Sequence, residues 1–171
     1  GIDILLQSLS EIDSKIPVLF IGGKNESEIE QFKQYVRRYK NVDHVIVTGW
    51  LSKKEMRPYL EQTLIGVLPL QSTFFNRFIT SPLKLFDYYS YSIPVVASDL
   101  PTTRSLIKAG ETGLLFEPGN AEELAEAVNT IIHDENRLKN MQHAVAEHAR
   151  QFLWEKRAKR IKEISREVQI L

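Results

Sequence analysis

The chain has 171 residues, with 22 basic and 22 acidic side chains, a formal net charge of zero, 43% hydrophobic and 26% charged residues, and no cysteine. That is enough for one domain with a full core and too little for two of ordinary size. The charge balance excludes the basic surplus of a nucleic-acid binder, and the missing thiols exclude disulfides and thiolate metal sites. No apolar run is long enough to span a membrane, and the start does not read as a signal peptide.

The chain opens in mid-pattern, without an initiator Met, and reads as the inside of a longer protein. Ile2, Leu5, Leu6, Leu9 and Ile12 recur at helical spacing. Pro17 to Ile21 is a short apolar run ending at Gly22-Gly23, as suits a strand buried on both faces. Ile29, Phe32, Val36 and Tyr39 predict a second helix, and His44 to Thr48 a second buried strand ending at Gly49-Trp50. Ser52 and Glu55 form a capping box that opens a short helix through Met56, Tyr59 and Leu60. Leu64 to Leu68 is a third strand, stopped by Pro69. The stretch from Gln71 to Ile79 carries Phe74, Phe75 and Phe78 without a period and reads as a loop packed on something or ordered by a ligand.

The next stretch, Thr80 to Tyr89, carries the strongest functional signal. Ser81 is placed to cap a helix and Pro82 fits its first turn. Lys84, Asp87, Tyr88 and Tyr91 share one face of that helix, with Leu85, Phe86 and Tyr89 turned away. A helix start offers free N–H groups and partial positive charge, and a lysine in the first turn makes it an anion site suited to phosphate. The carboxylate one turn deeper can accept hydrogen bonds from ribose hydroxyls. The alternative is an ordinary surface ion pair at i, i+3, worth about 0.2–0.5 kcal/mol.

Val95 to Ser98 is a fourth strand, Thr102 to Ile107 a short helix, and Gly113 to Phe116 a fifth strand. Asn120, with Glu123 completing a box, caps a helix whose stripe is Ala121, Leu124, Ala125, Val128, Ile131 and Ile132. Leu138, Met141, Val145 and Phe152 predict another helix. Trp154, Ala158, Ile161, Ile164 and Val168 predict a last one, with Lys and Arg on its other face, read as a solvated face over a partner or membrane surface. Alternating helices and short buried strands predict an α/β domain, a Rossmann-like parallel sheet covered by helices on both faces. Ligands of such sheets bind at the carboxyl ends of the strands, where Gly22-Gly23, Gly49-Trp50, Ser81 and Ser98-Asp99 all fall.

Other motifs carry less. Gly22-Gly23 lacks the spacing of a dinucleotide fingerprint or a P-loop and reads as a tight turn. His44, His133, His143 and His148 show no ligand spacing, and no metal is expected. No Gly-x-Ser-x-Gly elbow occurs. Trp50 either stacks on a base or covers the core, and Asp99 either binds ligand or, by a small margin, caps the helix after it.

Thr80-Ser81-Pro82-Leu83-Lys84-Leu85-Phe86-Asp87-Tyr88, followed by Ile93-Pro94-Val95-Val96-Ala97-Ser98, resembles the nucleotide-binding half of retaining GT-B glycosyltransferases of the glycosyltransferase group 1 (family 4) type. Gly113 to Asn120, Leu124-Ala125 and Ala127-Val128, and Trp154 to Arg157 extend the likeness to nearly the whole chain. The resemblance implies one lobe of a two-lobed enzyme, holding a nucleotide-diphosphate sugar while an N-terminal Rossmann-like lobe holds most of the acceptor. It implies that residues 1–171 form a single donor-binding domain lacking its first strand, inactive alone, in a cytoplasmic enzyme that can associate with a membrane surface. Thr80, Ser81, Pro82, Leu83 and Lys84 would form the diphosphate-binding helix start, with Lys84 stabilising the leaving group. Asp87 would hold the ribose, Gly49, Trp50 and Leu51 the base, and no metal or cofactor would be needed. Two positions depart from the family: Asp87 stands where a glutamate is usual, and Ile79 where a second acid is frequent. A nucleotide-sugar 2-epimerase and a non-catalytic domain of the same fold are the alternative readings.

Overall fold

The computed structural model describes residues 1–13 and 16–168, the side chains of 167 and 168 excepted. Helix α1 (Ile2–Ser8) leads to strand β1 (Val18–Ile21), α2 (Glu26–Val36), β2 (Val45–Gly49) and α3 (Lys53–Gln62). Strand β3 (Gly66–Leu68) is followed by α4 (Phe74–Phe78), α5 (Leu83–Ser90), β4 (Val95–Ser98), α6 (Pro101–Arg104) and β5 (Gly113–Phe116). The chain ends in α7 (Ala121–Ile132), α8 (Glu135–Ala149), a 3-10 turn at Arg150–Phe152 and α9 (Trp154–Val168). All five predicted strands are present, and every ladder is parallel.

The layering follows from strand alternation. Val67, Val96, Leu114 and Phe116 point to a core shared with Leu5, Leu6 and Leu9 of the α1 segment and Leu124, Val128 and Ile131 of α7. Their neighbours Leu68, Val95, Ala97 and Leu115 point the other way, to Leu85 and Tyr89 of α5 and Val145 of α8. A period of two with apolar residues on both sides is what a sheet covered by helices on both faces requires.

The strands pair as two sheets, β1-β2 and β3-β4-β5, rather than as one continuous ladder. Val18 and Phe20 of β1 nonetheless pack into the same core as Val67 and Val96. Both sheets run the same way. Ile4 near the start of α1 shares a crevice with Pro118 and Gly119 before α7. At the other end, Asp13 receives His133 Nε2 at 3.3 Å and its N–H donates to Asn129 Oδ1 at 3.2 Å, both at the end of α7. Helices α1 and α7 are therefore parallel, and β1 starts level with the amino ends of β3–β5. Strands β1 and β3 each have one edge that belongs to no ladder among the described residues.

Several boundaries differ from the periodic reading. The Phe-rich stretch is not all loop: Thr73 Oγ1 accepts the Asn76 N–H at 3.2 Å and starts the five-residue helix α4. Helix α2 stops at Val36, so Tyr39 lies beyond it, and Phe152 lies in the 3-10 turn rather than in α8. Ser52 and Glu55 form the reciprocal box that was predicted. Asn120 caps α7, but the Glu123 carboxylate binds the Asn120 side-chain amide and the Glu117 N–H instead of the Asn120 N–H. The Val168 side chain, assigned by spacing to the stripe of the last helix, lies outside the described residues.

Candidate functional site at the strand ends

The crevice at the carboxyl ends of β3, β4 and β5 has a volume of about 170 Å³ and is bounded by Ile4, Pro69 to Ser72, Ser98, Pro118 and Gly119. Ser98 is 1% exposed, and its Oγ has no hydrogen-bond partner among the described residues. A buried hydroxyl left unpaired costs about 1–3 kcal/mol, so its position at the crevice wall marks a place where an acceptor or donor from outside would be favoured. The sequence reading used Ser98 only as a strand end. A small polar residue closing an otherwise apolar strand is the signal that points to it. A larger open groove of about 540 Å³ lies at the opposite end of β5, between Gly110-Glu111 and Arg137 and Asn140 of α8. It is remote from the strand ends where ligands of parallel sheets bind.

Helix α5 emerges beside the crevice. Its start differs from the expectation in one respect: the N-cap is Pro82, with φ −74° and ψ 95°, and no side chain caps the helix. Ser81 is exposed and outside the helix, so it does not serve as the cap. Proline at the N-cap keeps an extended ψ and delays the first helical residue to Leu83. The consequence strengthens the anion reading, because the first N–H groups of α5 remain without a side-chain acceptor. Thr80 is held from behind: its N–H donates to the Phe75 carbonyl at 2.9 Å and its Oγ1 to Asn76 Oδ1 at 3.0 Å.

Lys84 Nζ stands 3.9 Å from Asp87 Oδ2, with the two side chains 66% and 52% exposed. They form a loose surface pair, and a ligand could part them at little cost. Tyr88 does not join their face. Its ring packs beneath β3, where a Cβ at Gly66 would stand 2.3 Å from Tyr88 Cδ2. Burial raises its hydroxyl pKa, and the Asp87 carboxylate adds to the rise. Leu85 and Tyr89 are buried as predicted, and Phe86 is half-buried against Phe152.

Gly49, Trp50 and Leu51 form a second cluster, at the end of β2. The Gly22 N–H donates to the Gly49 carbonyl at 2.8 Å, and the Trp50 N–H to the Gly23 carbonyl at 3.1 Å. Gly49 has φ +80°, a conformation that favours glycine, and a Cβ there would stand 2.6 Å from Ile29 Cδ1, so that side chain would have to shift. Leu51 is half-buried, and Trp50 stands out at 71% exposure, free of the core-covering role considered for it. No hydrogen bond or ion pair links Gly49–Leu51 to Thr80–Asp87 among the described residues. Each cluster stands on the carboxyl-end side of its own sheet.

Asp99 caps no amide. Its carboxylate pairs with Arg104, whose hydrogen bonds hold the Asp99 pKa below the ordinary carboxylate value. The capping bond is made instead by Thr103 Oγ1, which accepts the Leu100 N–H at 3.0 Å. Among the described residues, no group of three or more His, Cys, Asp or Glu side chains is arranged to hold a metal ion.

In a parallel α/β domain, polar groups gathered at the carboxyl ends of the strands stand where ligands of such sheets bind. The model of the family described as glycosyl transferases group 1 matches residues 1–134, and the chain belongs to this family. A D-inositol 3-phosphate glycosyltransferase from Corynebacterium aurimucosum is 32% identical over 96% of this chain and 39% of that protein. The sulfoquinovosyl transferase SQD2 of Arabidopsis thaliana is 24% identical over 90% of this chain and 29% of that protein. The chain thus spans less than half the length of either relative. Among solved structures, sucrose-phosphate synthase from Thermosynechococcus elongatus superposes with a TM-score of 0.77 at 23% identity, over 99% of this chain and 42% of that one. Anabaena Alr3699/HepE in complex with UDP-glucose superposes with a TM-score of 0.73 at 18% identity, over 100% of this chain and 45% of that one. The fold is that of one lobe of the GT-B glycosyltransferases.

Proposed function

We propose that this chain is the donor-binding lobe of a retaining glycosyltransferase that moves a hexosyl unit from a UDP- or GDP-sugar to an acceptor hydroxyl. The observation that carries the reading is the uncapped start of α5, with Lys84 in its first turn, at the carboxyl end of a parallel sheet. In the transfer, the bond from the anomeric carbon to the diphosphate breaks and a bond to the acceptor oxygen forms, while the acceptor proton departs. Negative charge grows on the diphosphate, where free N–H groups and Lys84 oppose it. Asp87 receives the ribose hydroxyls, and the base lies at Gly49, Trp50 and Leu51. In this reading helix dipole and lysine meet the diphosphate charge, and no metal or cofactor is assigned. UDP-glucose bound to a structural neighbour of the same fold supports the ligand class.

The domain is completed, in the same reading, by a strand preceding Gly1 and an N-terminal acceptor lobe. Strands β1 and β3 each have an unpaired edge and share a core, and Gly1 stands against the Pro69 carbonyl just past the end of β3. A parallel strand running to Gly1 would join both sheets by a right-handed crossover through α1. Residues 1–171 alone then bind nucleotide weakly and transfer nothing. The same reading places the enzyme in the cytoplasm, with which a cysteine-free composition is compatible.

The test is calorimetric titration with UDP, GDP and ADP, followed by UDP and uridine on Lys84→Ala. Loss of the lysine should weaken UDP by roughly tenfold or more and leave uridine unchanged. Equal losses for both ligands would remove Lys84 from the phosphate role.

A further inference from the structure

The stretch from Gln71 to Thr80 joins the end of β3 to the approach of α5 and has no core of its own. Asn76 and Thr80 are half-buried in it, and every other residue is exposed, those of α4 included. A segment without buried apolar side chains is free to open locally unless polar ties order it.

Those ties converge on one residue. Asn76 makes four hydrogen bonds among the described residues. Its N–H donates to Thr73 Oγ1 at 3.2 Å, and its carbonyl accepts from Thr102 Oγ1 at 2.6 Å. Its side-chain Nδ2 donates to the Gln71 carbonyl at 2.9 Å, and Oδ1 accepts from Thr80 Oγ1 at 3.0 Å. Capping α4 requires only the first of these bonds. The side-chain amide does something else: it joins the two ends of the stretch, donating to one and accepting from the other. Aspartate has the same shape but only accepts when ionised, and leucine does neither.

The Thr102 bond fastens this hub to the sheet. Thr102 lies in α6 beside Thr103, which is 0% exposed and whose Oγ1 donates to the Ser98 carbonyl at the end of β4 at 2.6 Å. Helix α6 is thereby fixed to a fully buried strand, and the approach to α5 is hung from α6 through Asn76. Thr80 stands two residues before Pro82, the N-cap of α5, and no side chain caps that helix. The entry of the chain into α5 is set from Thr80 instead.

We propose that Asn76 is a positioning residue for the diphosphate: it touches no ligand and, through Thr80, aims the free N–H groups of α5 and Lys84. The inference rests on the donor-lobe reading. Hydrogen bonds weaken steeply as they bend, so a helix start that can swing meets a phosphate poorly. It also loses affinity to the ordering that binding then requires. The nucleoside half, assigned to the end of β2 in the same reading, does not depend on Asn76.

Calorimetric titration of the 171-residue chain with UDP and with uridine tests this on Asn76→Ala and Thr102→Val. Asn76→Ala should weaken UDP by about fivefold or more, and Thr102→Val by about threefold, with uridine unchanged in both. Hydrogen exchange without ligand separates positioning from general loosening. The Thr80 N–H, bonded to the Phe75 carbonyl at 2.9 Å, should exchange several-fold faster in Asn76→Ala, while the Val96 amide of β4 keeps its rate. Acceleration of both amides, or of neither, would overturn the proposal, as would equal losses of UDP and uridine. UDP that binds the wild type and both variants alike would overturn this inference alone. UDP that fails to bind the wild type would overturn the donor-lobe reading and this inference with it.

Discussion

The two sheets of this domain are built from similar sequence and end up in different states. Strand β4 has neighbours on both sides, and all four of its residues are buried. Strand β1 is as apolar, pairs only with β2, and is half-buried along its whole length. Side chains fill the layers above and below each strand, but only a neighbouring strand seals its edge. The contrast also divides the candidate site. In the proposed reading the diphosphate end rests on the three-stranded sheet, and the base end on the two-stranded one.

The largest expected effect compares how deeply the two sheets bury their side chains. Phe116, 2% exposed at the end of β5, and Phe20, half-buried in β1, contribute rings of the same size to the same core. Phe116→Ala should lower unfolding free energy by about 3–5 kcal/mol, and Phe20→Ala by roughly half of that. Urea denaturation followed by circular dichroism reads both, and equal losses would mean that β1 is packed in solution as well as β5. A smaller effect separates the two ends of the ligand. Asp87→Asn should weaken UDP several-fold, as loss of a charged hydrogen-bond acceptor does, and weaken 2′,3′-dideoxy-UDP much less. If both nucleotides respond alike, Asp87 does not hold the ribose.

The smallest effect concerns pH. Because Arg104 lowers the Asp99 pKa in the folded state, the pair stabilises the domain above the unfolded carboxyl value of 3.8. That contribution fades as pH falls through the folded value. Between about pH 5 and pH 2, the wild-type urea midpoint should therefore fall slightly more than that of Arg104→Ala. Parallel curves for the two proteins would show that the pair adds nothing on this well-sealed side.

Much of the fold was legible because the strands are short apolar runs with turn residues after them, and the long helices have unbroken stripes. The split of the sheet was not, since pairing between β1 and β3 depends on atoms far apart in sequence. Helix α4 escaped because five residues give little more than one turn, and none of them is buried to show a period. The start of α5 was read one step early: Ser81 has the chemistry of a cap, but the ψ of Pro82 takes that position. Tyr88 was assigned by helical angle to the face of Lys84 and Asp87. A glycine inside a strand often marks a close approach by another group, and Gly66 was the available sign that Tyr88 lies beneath it. Gly49 and Trp50 were legible as candidates from their place at the end of a strand, and Lys84 and Asp87 from theirs in the first turns of a helix. The buried, unpaired Ser98 hydroxyl was not, because satisfaction of a hydrogen bond is invisible until the neighbours are in place.

The two short bonds between the turns after β1 and β2 have a mechanical consequence. With Gly22 tied to Gly49, Trp50 tied to Gly23, and Ile29 wedged beneath both glycines, the two turns form one stiff bracket rather than two independent loops. Trp50 is mounted on that bracket. Its backbone is ordered before any base arrives, so a purine or pyrimidine stacking there would lose little affinity to loop ordering. A residue inserted into either turn would swing the indole as a lever swings when its pivot is moved.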